Sequence, residues 1–142
     1  MNENNLQRFL SAQDRNYQDA LSEIKNGKKQ THWMWYVFPQ IKGLGISETA
    51  MFYAIEDIQE AKAYLQHPVL GSRLVQISEA LLPLESKDAH HIFGSPDDMK
   101  LKSSMTLFSS LPEANPVFKQ VLEKFFHGKQ DEKTLQILHP QL

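Results

Sequence analysis

Apolar positions recur at helical spacing from the start of the chain. Leu6, Phe9, Leu10, Tyr17, Leu21 and Ile24 mark one face of a long helix, and Gly27 follows where a left-handed residue would close it. The run 32–38 is apolar on all sides, which predicts a short buried helix capped by Thr31 and stopped by Pro39. Its aromatics and Val37 also suit a strand, so that alternative stays open. Start and stop signals then follow one another. Ser47 can cap a helix over 48–55, and Asp57 with Glu60 makes a capping-box-like pair before AKAYL. Pro68 suits the first turn of a helix reaching Leu81. Ser95-Pro96-Asp97-Asp98 reads as a capping serine, a proline at the first helical position and two acids in the first turn. Asn115-Pro116 repeats that logic with Gly128 closing the helix, and Asp131 can cap a last helix over 132–138. Alternating runs joined by hairpin turns are nearly absent. The pattern predicts an all-α bundle of about eight helices, several of them short.

Composition narrows the class. At 142 residues the chain fits one domain, 1–142, large enough to hold a core without a metal or disulfide staple. There is no cysteine, so disulfide and thiolate chemistry are excluded. The polar N-terminal MNENNLQRFLSAQDRN lacks the apolar core of a signal peptide, and no apolar run approaches a membrane span. A cytoplasmic, soluble protein with no membrane partner is the expectation. The net charge of −2 argues against nucleic-acid binding through a basic face. Lys25, Lys28 and Lys29 form the one local basic cluster, read as a cationic helix end.

Four stretches carry a family likeness almost end to end: LQRFLSAQDRNYQDALSEIKNGKKQTHWMWYVFPQIKGLG, AKAYLQHPVLGSRL, IFGSPDDMKLKSSMTLF and VFKQVLEKFFHGKQDEKTLQIL. In these the chain resembles the bacterial DUF1810 family, some of whose members bear a "calpastatin" label. The likeness implies a compact multihelical fold. It implies no activity, substrate, cofactor or catalytic residue. The label itself conflicts with the composition, because calpastatin is disordered and this chain has the apolar content of a packed domain.

Three constellations are candidates for chemistry. In the first, His32 lies beside Trp33, Trp35 and Tyr36, where a histidine can act as general acid or base and indoles can stack on a ring. The competing reading is a packing helix whose histidine is satisfied in the core. In the second, Gly43-Leu44-Gly45-Ile46-Ser47 leads into a helix, so amides at Gly45 and Ser47 can meet an anion. A tight turn explains the same glycines, and neither a phosphate-loop nor a dinucleotide fingerprint is present. In the third, Asp97, Lys100 and Ser104 line one helix stripe with Ser103 beside it. Lysine and hydroxyls can hold phosphate and Asp97 can act as a base, or the stripe is a solvated face with an internal ion pair. Asp98 and Lys102 read as an ordinary i, i+4 pair.

Two readings follow. In one, His32 and Asp97 act catalytically or beside a ligand, and Trp33, Trp35, Tyr36, Gly45, Ser47, Lys100, Ser103 and Ser104 wall a cleft for a small anionic, nucleotide-like or phosphorylated molecule. Hydrolysis is its boldest extension, and the residues do not decide whether the protein is an enzyme. In the other, the aromatic segment is a protein-binding surface without catalysis. No cofactor is expected. No metal is expected either, because His90 and His91 diverge on a helix and no ligand spacing is present.

Overall fold

The computed structural model describes residues 2–140. Among them lie nine helices: α1 (Asn2–Lys25), α2 (Met34–Val37), α3 (Glu48–Phe52), α4 (Ile58–Gln66), α5 (Leu70–Glu79), α6 (Ala89–Phe93), α7 (Asp97–Ser109), α8 (Val117–Phe126) and α9 (Glu132–Leu138). The described residues form no strand, and the only sheet-like feature among them is an isolated parallel bridge between Ile41 and Ile55. The fold is an all-α bundle, as the spacing of apolar residues predicts.

Local signals set most of the boundaries. Ser47, Asp57 and Asp131 each accept a backbone N–H three residues on, from Ala50, Glu60 and Thr134. The Asn115 side-chain oxygen accepts from Val117 N at 2.9 Å. His127, in the left-handed region, ends α8, and Gly128 follows it with a bond to the Leu122 carbonyl.

Several starts and stops differ from the sequence reading. α2 begins at Met34 without a side-chain cap, because Thr31 turns its hydroxyl back to Glu23 at 2.6 Å. α3 ends at Phe52 rather than at residue 55, since the backbone at Ile55 is drawn into the bridge with Ile41. α5 starts at Leu70, two residues after Pro68. There the imidazole Nδ1 of His67 accepts from Val69 N and Leu70 N and does the capping. Ser95 is exposed and makes no capping bond; the Gly94 carbonyl accepts the Asp98 N–H and the Pro96 carbonyl accepts those of Met99 and Lys100. The helix that carries His90 and His91 is the short α6, capped by Asp88.

One continuous cluster of buried side chains joins these helices. α7 lies at its centre, against α4, α6, α8 and α9, while α1 packs on α2, α4 and α5. The α4–α5 corner depends on Gly71, where an added Cβ would lie 2.0 Å from the Leu65 carbonyl oxygen. Two buried polar bridges tie α1 to the rest. Arg8 forms a two-pronged bond to the buried Glu60 carboxylate at 3.0 and 3.1 Å. The Gln13 carboxamide donates to the Tyr36 carbonyl at 2.7 Å and to the Tyr64 hydroxyl at 2.9 Å.

Substitutions separate these roles. Gly71→Ala should cost about 3 kcal/mol or more, because no shift of a flexible side chain relieves a backbone clash. Asp131→Ala should cost about 1 kcal/mol through a lost cap, and Ser95→Ala less than about 0.5 kcal/mol. Urea unfolding midpoints check the order; a Ser95→Ala loss matching that of Asp131→Ala would contradict the assigned helix start.

Candidate functional site

The aromatic segment divides sharply on folding. Trp33 is completely buried and Tyr36 nearly so, whereas Trp35 is half-buried and the His32 side chain is exposed. Burying an indole requires an acceptor for its N–H. Glu23, on the last turns of α1, supplies it at 2.9 Å. The same carboxylate accepts from Gln30 N at 2.7 Å, Thr31 N at 3.0 Å and the Thr31 hydroxyl. Burial alone would push the Glu23 carboxyl up, but these four donors outweigh it and bring the value down from 4.5 to about 2. Nothing in the sequence marked Glu23, since a glutamate in a helix ordinarily faces solvent; its relation to Trp33 ten residues on is non-local.

The clamp turns Lys29 inward. Its Nζ lies 2.9 Å from Asp97 Oδ2, 5.1 Å from the Trp33 ring centre, and donates to the Thr31 carbonyl. Lys29 is therefore not part of a solvated cationic helix end. Asp97 Oδ1 holds Lys100 at 3.4 Å, and the Lys100 ammonium sits 5.0 Å over Trp35. Trp35, Asp97 and Lys100 do come together, with Lys29 as the member that sequence reasoning missed. His32 contributes only its carbonyl, which accepts from the Tyr36 hydroxyl at 3.3 Å.

The remaining candidates sit elsewhere. Ser103 is buried and donates to the Met99 carbonyl at 3.1 Å; Ser104 is wholly buried and its hydroxyl has no partner among the described residues. Both lie inside the bundle rather than on a solvated stripe, because α7 is enclosed on most of its circumference. Gly45 serves close packing: a Cβ there would meet the Ala50 methyl at 2.6 Å. The Ser47 hydroxyl is occupied as the α3 cap. Trp35, Gly45, Ala50 and Tyr53 do share a crevice, but it leaves about 10 Å³, room for no more than one water, and α7 is not among its walls. Between the aromatic segment and α7, the Lys100 ammonium rests over the Trp35 ring. Asp98 pairs with His90 at 3.4 Å, and Lys102 lies over the Phe126 ring instead of forming the i, i+4 pair. No group of three or more metal-ligating side chains occurs among the described residues, and none of their helices is long and apolar enough to cross a membrane.

The family model for a protein of unknown function, DUF1810, matches residues 3–138. The chain belongs to the DUF1810 family. The crystal structure of the conserved hypothetical protein Rv1873 from Mycobacterium tuberculosis, at 1.38 Å, is similar to this chain with a TM-score of 0.91 and 44% identity. The match covers 94% of this chain and 95% of that one. No curated protein is significantly similar to it. The family relation supports the fold and carries no activity with it.

The Glu23 clamp has a pH signature. A carboxyl with a folded value near 2 and an ordinary value of 4.5 stabilises the fold fully above the ordinary value. That contribution is lost as pH falls from 4.5 toward 2. Glu23→Gln should cost about 1–3 kcal/mol at neutral pH, the range for bonds to a charged acceptor. It should also flatten the acid limb of the stability profile and shift Trp33 emission. An unchanged acid limb in urea titrations would show that the clamp does not operate.

Proposed function

We propose that this DUF1810 protein is a protein-binding module whose recognition element is the 44–52 segment. One observation carries the reading: Ile46, Met51 and Phe52 are 92%, 63% and 59% exposed on a single short loop and helix turn. Isolated apolar side chains are ordinary on protein surfaces, but three of this size clustered on one protrusion mark a contact surface. Fully buried Trp33 and ion-covered Trp35 do not serve as hot spots; exposed Ile46, Met51 and Phe52 lie just beyond them in the chain. The segment is held from beneath, as an anchor needs: Arg8 donates to the Phe52 and Ala54 carbonyls at 2.8 Å, and Phe52 packs edge-on to Tyr53.

A photo-crosslinking residue at position 46 should yield a discrete protein adduct in cells, and one at the exposed Gln18 on α1 should not. The adduct should disappear when Phe52→Asp is added, while the melting temperature changes little, because exposed substitutions seldom alter stability. No adduct at position 46, or the same adducts from position 18, would overturn the reading.

The ion chain from Lys29 through Asp97 to Lys100, which sets the Lys100 ammonium over Trp35, supports a second reading. There a small anionic or nucleotide-like ligand draws Lys100 away from Asp97 and stacks on the uncovered indole. Pyrophosphate or adenosine monophosphate at saturating concentration should then raise the melting temperature of the parent and not of Lys100→Ala. Equal behaviour of the two proteins would exclude this site.

A further inference from the structure

We propose that the partner of the 44–52 segment is a second copy of this chain, and that the segment enters a groove beside α9. The inference rests on the protein-binding reading and names its partner. Two adjoining hollows, of about 770 and 290 Å³, share Glu132 and Leu135 and run along α9. Met99 and Leu135 are the apolar residues lining the larger hollow, and Lys102, Lys129 and Lys133 line it too.

Three observations favour this occupant. The first is where apolar surface is found. Six large apolar side chains are exposed among the described residues: Ile46, Met51, Phe52, Val69, Met99 and Ile137. Three form the protrusion, Met99 lines the groove, and Ile137 lies on α9 itself, leaving Val69 as the exception.

The second is charge. On the protrusion, Lys42 and Glu56 neutralise each other at 2.9 Å, which leaves exposed Glu48 unbalanced beside the apolar side chains. The groove sets three lysines against Asp131 and Glu132, and both Asp131-bound donors come from Thr134. The protrusion is acidic by one charge where the groove is basic by one, so the two surfaces attract and copies of the protrusion repel each other.

The third is adjacency. Gly43, at the base of the protrusion, lies against Ile137: a Cβ at Gly43 would be 3.2 Å from the Ile137 Cδ1. The base of the protrusion therefore abuts α9, on a different face of that helix from Glu132, Leu135, Gln136 and His139, which line the groove. A two-fold axis between two copies then closes both contacts at once, each protrusion seated beside the partner's α9.

Sedimentation velocity from low micromolar to near-millimolar protein tests this. The parent should show a concentration-dependent dimer that weakens as sodium chloride is raised, since the charge term is screened. Ile46→Asp and Leu135→Asp should each weaken the dimer by about tenfold or more. Mixing the two variants should recover association, because the heterodimer keeps one contact in which both surfaces are unaltered. A monomer at every concentration would overturn the proposal while leaving a position-46 adduct with another protein as the separate test of the binding reading. A dimer indifferent to both substitutions, or one that mixing fails to restore, would overturn it as well. Circular dichroism of each variant keeps unfolding distinct from dissociation.

Discussion

The burial of Trp33 organises this end of the molecule. An indole can be wholly enclosed only if its N–H finds an acceptor, and Glu23 is that acceptor. The same carboxylate gathers the amides of Gln30 and Thr31, so the chain leaving α1 is drawn back across its last turns. That path carries Lys29 to Asp97 at the start of α7. Asp97 in turn steadies Lys100 over Trp35. A single acceptor thus sets the course of the loop, and the loop closes what would otherwise be an open aromatic face.

α7 shows how a polar sequence becomes a central helix. Its serines and threonine would be poor core residues if their hydroxyls were left unpaired. Ser103 and Thr106 solve this by donating to carbonyls one turn back, and Thr106 also accepts the Asp131 N–H. Small side chains let α4, α6, α8 and α9 approach the α7 axis from several directions. Ser104 is the exception, a buried hydroxyl without a partner among the described residues.

Packing and surface are linked through the 40–55 region. Ile41 and Ile55 are buried and bridged, Ile55 donating to the Gln40 carbonyl and accepting from Lys42 N, so the chain between them must bulge outward. Gly45 permits the tight approach to Ala50, and Ser47 caps the single turn of α3. The interior of this region is anchored while its tip is exposed. Ile46, Met51 and Phe52 have no core left to enter, because Tyr36, Tyr53 and Phe9 already fill the space beneath. The proposed contact surface is thus a product of a well-packed base.

Helix identity was legible from residues alone wherever the cause is local. Ser47, Asp57, Asn115 and Asp131 bond to amides within three residues, so the sequence by itself determines those helix starts. The 3.6-residue periodicity likewise determines the helical class and the family likeness its extent. Ser95 misled because an equally good cap motif lost to backbone carbonyls at Gly94 and Pro96. Which aromatic is buried, which lysine turns inward and which serines vanish into the bundle were decided only by tertiary structure. Trp33 and Trp35 are two residues apart and chemically identical; Glu23 and Lys100, on separate helices, give them different fates. Periodicity reports which face of a helix is apolar, but α7 is enclosed on several sides, and no one-dimensional pattern encodes how many neighbours a helix will have.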